Sequence, residues 1–330
     1  MNSFELYEPT TVGEAVDTLN RLGSRGKVLA GGSDLVSGVM KDWVEGDGMP
    51  MPDALVDVTT IPQMKGITAD TGGTTIGANT TLSEIIESEV LSETFPLLTE
   101  ATKSVASPLI RNFATLGGNI NQRPRCWFFR GREFNCLKKG GDLCYSVGGD
   151  NRYHAIIGND QCFIVHPSDT AMALLALNAQ ATIAGPNGQR RVAFDDYFVT
   201  PGEDILKENI LEENELMVDV FVPTPAPGTR QAWSKLKNRQ VYDFAIISVA
   251  TAFNEAGGTW NDGRVVLGGV APVPYRATVI ESQLQGMDVS ANARQAAAQI
   301  RTVARPMSMN AYKVDVTQTL VERTLLAAMA

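Results

Sequence analysis

The fold is decided by two glycine stretches, Leu29-Ala30-Gly31-Gly32-Ser33-Asp34-Leu35 and Arg111-Asn112-Phe113-Ala114-Thr115-Leu116-Gly117-Gly118-Asn119. The first follows a short predicted strand, and both set a Gly-Gly pair among polar residues. Glycines let the backbone approach a ligand closely, and successive N–H groups can form an anion-binding concavity. Taken singly, each pair also fits a plain tight turn or a glycine bend in a strand. Together they suggest one extended cofactor lying across both.

Neither stretch matches a common nucleotide-binding fingerprint. The dinucleotide pattern G-x-G-x-x-G and the P-loop pattern G-x-x-x-x-G-K-[ST] are both missing from them. A Rossmann fold and an NTPase are therefore disfavoured.

Strands and helices mix along the chain without a regular β-α-β alternation. The capping boxes Thr11–Glu14 and Thr81–Glu84 predict helix starts. Asn187-Gly188 predicts a hairpin, and residues 277–329 predict two or three amphipathic helices. This mixture predicts an α+β protein rather than a doubly wound sheet.

Composition excludes several classes of function. The chain has 37 acidic and 28 basic residues, a net charge of −9, which disfavours duplex nucleic acid and anionic membranes as partners. No run approaches the roughly 18 apolar residues of a membrane span. The N-terminus lacks the pattern of a secretory signal. We therefore expect a reducing compartment, where clustered cysteines more often hold metal than form disulfides.

All four cysteines fall between residues 126 and 162, in the spacing C-x9-C-x7-C-x17-C. The close pairs typical of zinc sites and of ferredoxins are absent, so the spacing names no metal. Four thiols without an acid cluster, among glycines and aromatic residues, favour an iron–sulfur cluster. Structural zinc and unligated buried cysteines remain open alternatives.

No catalytic residue is predicted for this chain. It has only two histidines, His154 and His166, and each fits an ordinary satisfied or exposed side chain. Neither a Ser/His/Asp or Cys/His set nor a pair of acid–base carboxylates stands out.

Five ordered motifs resemble those of one known family. Ala30–Leu35 and Ile110–Asn119 resemble the two FAD loops of the medium, flavin-binding subunit of molybdenum hydroxylases, which include xanthine dehydrogenase and carbon monoxide dehydrogenase. His166–Asp169 resembles the third FAD segment of that family, and Lys235–Ala245 and Gly268–Arg276 resemble segments of its C-terminal domain. The resemblance covers essentially the whole chain.

The resemblance implies a domain arrangement. Residues 1–222 would form a vanillyl-alcohol-oxidase (PCMH)-type FAD-binding domain of two subdomains, with a subdomain break near residues 53–58 and a cysteine-rich insertion at about 121–165. Residues 223–330 would form a smaller α+β C-terminal domain of the CO dehydrogenase flavoprotein type. In one departure, Ile246 stands where some xanthine-dehydrogenase-like members carry a lysine near the flavin, which puts their reactivity with NAD or oxygen in doubt.

The resemblance also implies the FAD contacts. Backbone N–H groups of residues 31–35 would hold the pyrophosphate. The full set of predicted FAD-binding residues is Leu29, Ala30, Gly31, Gly32, Ser33, Asp34, Leu35, Arg111, Asn112, Ala114, Thr115, Gly118, Asn119, Asp169 and Lys235.

The cysteine stretch is typical of a subgroup. Most family members lack it, but the flavin subunits of periplasmic aldehyde oxidoreductase and of 4-hydroxybenzoyl-CoA reductase carry it and bind an extra [4Fe–4S] cluster there. Asn121–Cys126 and Ala155–Asp169 look closest to the aldehyde oxidoreductase type. By this match the predicted cluster ligands are Cys126, Cys136, Cys144 and Cys162.

The resemblance implies an electron-transfer flavoprotein subunit. A molybdopterin-binding large subunit would oxidise the substrate, a small subunit with [2Fe–2S] clusters would deliver electrons to FAD, and an external acceptor would remove them. The alternatives are a flavin subunit like that of 4-hydroxybenzoyl-CoA reductase or xanthine dehydrogenase, a standalone FAD oxidase, and a zinc-pinned assembly subunit without a redox role. The expected location is cytoplasmic, or periplasmic by co-export with a partner that carries a twin-arginine signal.

Overall fold

The structure is a computed structural model that describes residues 2–158 and 160–330. The chain forms two compact units, and each draws on three separated segments. The first unit contains residues 2–84, 108–145 and 178–223, and the second contains residues 85–107, 146–177 (apart from residue 159) and 224–330. Both units combine helices with sheets, so the predicted α+β class is confirmed.

The strands form three sheets. Their bounds are β1 (Glu5–Tyr7), β2 (Gly26–Leu29), β3 (Ala54–Asp57), β4 (Ile67–Ala69), β5 (Gly73–Gly77), β6 (Gln180–Gly185), β7 (Gly188–Ala193), β8 (Leu216–Pro223), β9 (Arg230–Leu236), β10 (Ile247–Ala256), β11 (Thr259–Gly268) and β12 (Tyr275–Arg276). The first unit has a parallel sheet of order β1-β3-β2 and an antiparallel sheet of order β4-β5-β8-β6-β7. The second unit has an antiparallel sheet of order β12-β11-β10-β9.

The α-helices are mostly short. Their bounds are α1 (Val12–Leu22), α2 (Leu82–Glu87), α3 (Glu89–Thr94), α4 (Pro96–Lys103), α5 (Pro108–Arg111), α6 (Leu116–Ile120), α7 (Trp127–Arg130), α8 (Asp169–Ala176), α9 (Thr278–Leu284), α10 (Val289–Ala298), α11 (Ile300–Val303) and α12 (Tyr312–Met329). Single 3-10 turns lie at Gly23–Arg25, Pro62–Met64, Leu137–Lys139 and Phe194–Asp196, and a π-helix lies at Leu35–Met40. No helix in the described part of the chain is both long and apolar enough to span a membrane.

Local signals place the elements that carry the site. The Thr81–Glu84 capping box starts α2: the Thr81 N–H donates to the Glu84 carboxylate at 2.7 Å, and the Glu84 N–H donates to Thr81 Oγ1 at 3.2 Å. At β3, Leu55 and Val56 are fully buried, as expected for the central strand of a parallel sheet. Because β2 pairs with this strand, the position of Leu29 at the end of β2 is fixed, and the first glycine stretch starts at that residue.

The second unit is built around its antiparallel sheet. Gly257 and Gly258 both have positive φ and close the hairpin between β10 and β11. The rings of Phe253 and Trp260 stack across this hairpin with centroids 4.5 Å apart. Val321 of α12 belongs to the same fully buried core. Cys162, Phe163, Ile164 and Val165, whose apolar run also fits a strand, lie in no strand of the structure.

Candidate functional site

The first glycine stretch leaves β2 after Leu29 and enters the π-helix at Leu35. Gly31 permits a very close backbone approach, because a Cβ atom there would lie 1.9 Å from the carbonyl oxygen of Phe113. Gly32 has a φ of 67°, in the left-handed region that favours glycine. Within the described residues, we find no hydrogen bond from the N–H groups of Gly32 or Ser33. These N–H groups are therefore available to an anionic ligand.

The second glycine stretch forms a capped turn. Thr115 is the N-cap of α6, and its Oγ1 accepts a hydrogen bond from the Gly118 N–H at 3.2 Å. The Gly117 N–H donates to the Ala78 carbonyl at 2.8 Å, and a Cβ on Gly117 would lie 2.9 Å from the Ala78 Cβ. Thr115 and Asn119 are buried, while Gly118 is exposed. The turn thus holds its shape by itself and presents an open edge at Gly118.

The structure brings the two glycine stretches into contact within the first unit. Gly31 meets both Phe113 and Ala114, whose Cα would lie 3.1 Å from a Cβ on Gly31. Asn112 is exposed, and its Oδ1 accepts a hydrogen bond from Ser83 Oγ at 2.6 Å. Arg111 is half-buried, and burial lowers the pKa of its guanidinium. The predicted FAD residues of both stretches therefore surround one junction.

Three of the four cysteines lie close together in the first unit. Burial raises the pKa of the Cys126 thiol to about 11, and nearby Cys136 and Cys144 contribute to the rise. Burial also raises the pKa of Cys136. Backbone N–H groups of Phe128 and Phe129 face the Cys126 sulfur and lower this pKa in part. The raised pKa values favour the neutral thiol form of Cys126 and Cys136.

The Cys136 sulfur has an analogous setting. The backbone N–H groups of Lys138 and Lys139 face it, and so does the charge of the Lys139 ammonium. The Lys139 side chain is fully buried, and its Nζ donates to the Gly131 carbonyl at 2.9 Å. Lys138 is also buried and pairs with Glu208 at 2.7 Å. Sulfur atoms that face N–H groups and buried cations suit a negatively charged metal–thiolate centre.

Aromatic side chains cover part of this region, as the sequence predicts. The rings of Phe128 and Phe134 meet edge to face at 5.0 Å, and Tyr145 lies 5.1 Å from Phe134. Phe129 is fully buried. Trp127, also expected to shield the cysteines, is 56% exposed, because it begins the single turn of α7 on the solvent side.

The described residues do not present a ready metal site. No group of three or more His, Cys, Asp or Glu side chains among them is arranged to hold a metal ion. Cys162, the fourth predicted ligand, is buried in the second unit, in an extended segment where the Phe163 carbonyl accepts the N–H of Ala155. The cluster assignment of the four cysteines therefore stays a prediction.

The Asp34 side chain is bound to the segment around Cys126. Its carboxylate accepts the backbone N–H of Arg123 at 2.7 Å and the guanidinium groups of Arg125 and Arg130, each at 2.9 Å. It makes no side-chain capping bond to the π-helix that follows. The side chain of this predicted FAD residue is thus engaged with the segment around Cys126.

Asp169 and Lys235, both predicted FAD residues, form a buried ion pair in the second unit. Lys235 Nζ lies 2.6 Å from the Asp169 carboxylate and 2.9 Å from the carbonyl oxygen of Ser104. Ser168 caps α8 by accepting the Ala171 N–H, which places Asp169 in the first turn. Burial raises the pKa of the Asp169 carboxyl, while the Lys235 ammonium opposes that rise. The sequence shows each residue but not their pairing.

Comparison with known proteins agrees with this arrangement. Residues 2–225 match the model of the FAD-binding domain in molybdopterin dehydrogenase, and residues 231–328 match the CO dehydrogenase flavoprotein C-terminal domain. The chain is an FAD-binding medium subunit of the molybdenum hydroxylase family. The resemblance stated from five sequence motifs is confirmed.

Individual relatives align with this medium subunit from end to end. The carbon monoxide dehydrogenase medium chain of Hydrogenophaga pseudoflava is 32% identical over 99% of this chain and 97% of its own. The aldehyde oxidoreductase FAD-binding subunit PaoB of Escherichia coli is 32% identical over 100% of this chain and 98% of its own. The solved structure of the Hydrogenophaga pseudoflava carbon monoxide dehydrogenase matches with a TM-score of 0.77 and 31% identity, over 99% of this chain and 98% of that chain.

The medium subunit therefore belongs to oxidoreductase complexes and binds FAD, as predicted. The first glycine stretch fits this cofactor. The Gly31 contact leaves no room for a side chain, and the N–H groups of Gly32 and Ser33, which donate no hydrogen bond within the described residues, can donate to an anionic ligand. Sequence patterns assigned no role to Phe113 or Ala78, whose atoms pack against the glycines. Phe113 lies within the second glycine stretch but has no ligand-binding group, and Ala78 belongs to no motif, so only the close glycine contacts could have suggested them.

Proposed function

We propose that this chain is the electron-transferring flavin subunit of a molybdenum-containing hydroxylase of the aldehyde oxidoreductase type. The observation that carries the proposal is the junction of the two glycine stretches at Gly31 and Phe113, in a chain that PaoB matches along its whole length. When bound, FAD would supply redox chemistry that collects electrons from a donor and passes them to an acceptor. Oxidation of the organic substrate would belong to a partner subunit.

The chain's own part is to bind and orient the flavin. The N–H groups of residues 31–35 would hold the pyrophosphate, since two of them have no acceptor within the described chain. The exposed edge at Gly118, beside the Thr115 cap, would contact a further part of the cofactor. The remaining predicted FAD contacts are Leu29, Ala30, Arg111, Asn112, Ala114, Asn119, Asp169 and Lys235.

Asp169 and Lys235 would offer FAD polar contacts at a position that is shielded from solvent. The pair is almost fully buried, so each charge is stabilised mainly by the other. The Ser104 carbonyl also accepts from Lys235, and the Ser104 side chain hydrogen-bonds to Asp169. A buried pair of this kind is rigid, and removal of one partner leaves an uncompensated charge. As FAD contacts, these side chains would therefore offer a fixed donor and a fixed acceptor.

We further propose that Cys126, Cys136, Cys144 and Cys162 hold a [4Fe–4S] cluster. Three of these thiols lie together in the first unit, and backbone N–H groups face two of the sulfurs. Buried Lys139 adds a positive charge beside Cys136. Metal binding would displace the thiol protons, so the raised pKa values make assembly depend on pH. Cys162 enters this set through the resemblance to the aldehyde oxidoreductase subgroup.

The proposed partners follow from the same family assignment. Electrons would come from the [2Fe–2S] clusters of a small subunit, which receives them from a molybdopterin-binding large subunit, and an external acceptor would remove them. The compartment would follow the complex, whether cytoplasmic or periplasmic through a partner with a twin-arginine signal. The chain itself would select neither the organic substrate nor the compartment.

Analysis of the purified full-length chain tests the proposal. We expect bound flavin together with about four iron atoms per chain and a sulfide content to match. Bound FAD with one zinc and no iron would support a flavoprotein with a zinc-pinned segment and would refute the cluster. Protein that binds no FAD even when FAD is added would refute the electron-transfer role itself.

A further inference from the structure

The Asp34 side chain links two segments that are far apart in the sequence. Both carboxylate oxygens are in use: Oδ1 accepts from Arg125 and Arg130, and Oδ2 accepts from the Arg123 N–H. Asp34 lies two positions after Gly32 in the first FAD stretch, and residues 123–130 contain Cys126 and the helix after it. One carboxylate thus joins residues 29–35, the flavin loop, to residues 123–130, the cysteine segment.

The neighbouring packing makes this link stiff. Gly38 of the π-helix lies under the Arg130 guanidinium, where a Cβ would come within 2.7 Å of Nη1. The next residue, Val39, packs in an apolar cluster with Phe129 and Cys136. Arg130 also donates from Nε to the Pro124 carbonyl at 2.7 Å. Movement of the cysteine segment would therefore be transmitted to the π-helix and its preceding loop.

The contacts also separate the roles of the Asp34 backbone and side chain. An aspartate at a helix start usually caps it by accepting an N–H from the first turn, and here the carboxylate makes no such bond. Since three arginine groups occupy the carboxylate, the side chain is committed to the protein. The backbone of the same residue remains within the predicted pyrophosphate loop.

We infer that Asp34 is a positioning residue that couples FAD binding to the order of residues 123–130. FAD that fixes the glycine loop fixes Asp34, and Asp34 fixes the arginines that flank Cys126. Coupling between two sites is reciprocal, so an ordered cysteine segment strengthens FAD binding by the same factor. We take the proposed [4Fe–4S] cluster to be what orders residues 123–130, and for this step the inference rests on the proposed function.

Hydrogen–deuterium exchange on the full-length chain, with and without added FAD, tests the coupling. In the wild-type protein we expect FAD to slow amide exchange across residues 123–130. In the Asp34→Asn variant we expect this protection to disappear and FAD affinity to fall by at least about fivefold, the lower end of typical coupling between sites. The matched control is Glu208→Gln, which removes a buried carboxylate that pairs with Arg123 of the same segment and with Lys138 beyond it, and that makes no ion pair with residues 29–35. It should keep the FAD-induced protection.

The outcomes separate the inference from the proposed function. Protection of residues 123–130 by FAD that survives in Asp34→Asn, or that never occurs in the wild type, overturns the coupling. Iron analysis reads the cluster independently, because an iron-free wild-type chain refutes the cluster while the exchange test still stands. If Asp34→Asn fails to fold, Arg130→Lys replaces it, since lysine keeps the charge but cannot donate to Asp34, Arg123 and Pro124 together.

Discussion

Replacement of Gly31 by alanine should disrupt FAD binding more than any other single methyl added to the flavin loop. The new Cβ would lie 1.9 Å from the Phe113 carbonyl oxygen and 2.7 Å from its carbonyl carbon. Ordinary contact requires about 3.4 Å, so the two backbones must separate by about 1.5 Å (3.4 minus 1.9). No side-chain rotation can relieve this contact, because the Gly31 backbone fixes the position of the new Cβ and the atoms that it meets belong to the Phe113 main chain.

The separation acts on the two flavin stretches at once. Overpacking of this kind costs about 1–3 kcal/mol. If the strain is relieved in the apo protein and must be restored when FAD binds, affinity falls between about fivefold and more than a hundredfold. We expect FAD titration followed by flavin fluorescence to show a loss in this range.

Two other alanine variants make the result specific. Gly13→Ala lies in α1, where the nearest atom to the new Cβ is 4.0 Å away, so FAD affinity should not change and helix stability should rise slightly. Gly32→Ala meets only ordinary contacts of 3.4 Å but has positive φ, so its cost should be about 1 kcal/mol of backbone strain. Wild-type FAD affinity in Gly31→Ala would refute the assignment of this junction to the flavin.

Three further predictions concern buried charges and the cysteines. Lys235→Met should lower the free energy of unfolding by about 3–5 kcal/mol, because it leaves Asp169 buried without its partner; urea unfolding measures this, and Asp169→Asn in the same chain should restore part of the loss. Burial, aided by Lys313, lowers the pKa of His154 from 6.5 to about 4. Below pH 6.5 the unfolded chain binds a proton at His154 that the folded chain does not bind. The free energy of unfolding should therefore fall by on the order of 3 kcal/mol as the pH is lowered from 6.5 to 4. If His154→Gln showed the same dependence of unfolding free energy on pH, this prediction would be contradicted. Cys126→Ser should lose iron and keep only part of its FAD, because the cysteine segment that it disorders is coupled to the FAD stretch through Asp34; normal iron content in this variant would exclude Cys126 as a ligand.

Local sequence signals predicted the elements well, since they depend on residues a few positions apart. The Thr81–Glu84 capping box and the Asn187-Gly188 hairpin both form as expected. The apolar patterns after Asp34 and at about 317–329 predict helices. The first forms as a π-helix, and the second starts earlier, at Tyr312. Element boundaries shift in this way because tertiary contacts decide the final turn.

The site depended on contacts that no local pattern records. Gly31 meets Phe113, and Asp34 meets Arg123, 89 positions further along the chain. β5 pairs with β8, although Gly77 and its partner Asp219 are far apart in sequence. The compact units are consequently assembled from interleaved segments, whereas motifs are met one after another along the chain. A resemblance to a family could supply this long-range order, and periodicity could not.

The adjacent lysines at 138 and 139 show how far burial can depart from the sequence pattern. Two consecutive lysines in a glycine-rich stretch indicate a solvated surface, yet both side chains are fully buried. Lys138 is compensated by Glu208, while Lys139 has the Gly131 carbonyl, the sulfurs of Cys136 and Cys126 and the carboxylates of Glu133 and Glu45 around it. A buried cation needs a nearby negative charge to be stable. For Lys139, Glu133 and Glu45 supply negative charge, and the metal-bound thiolates of the proposed cluster would add to it.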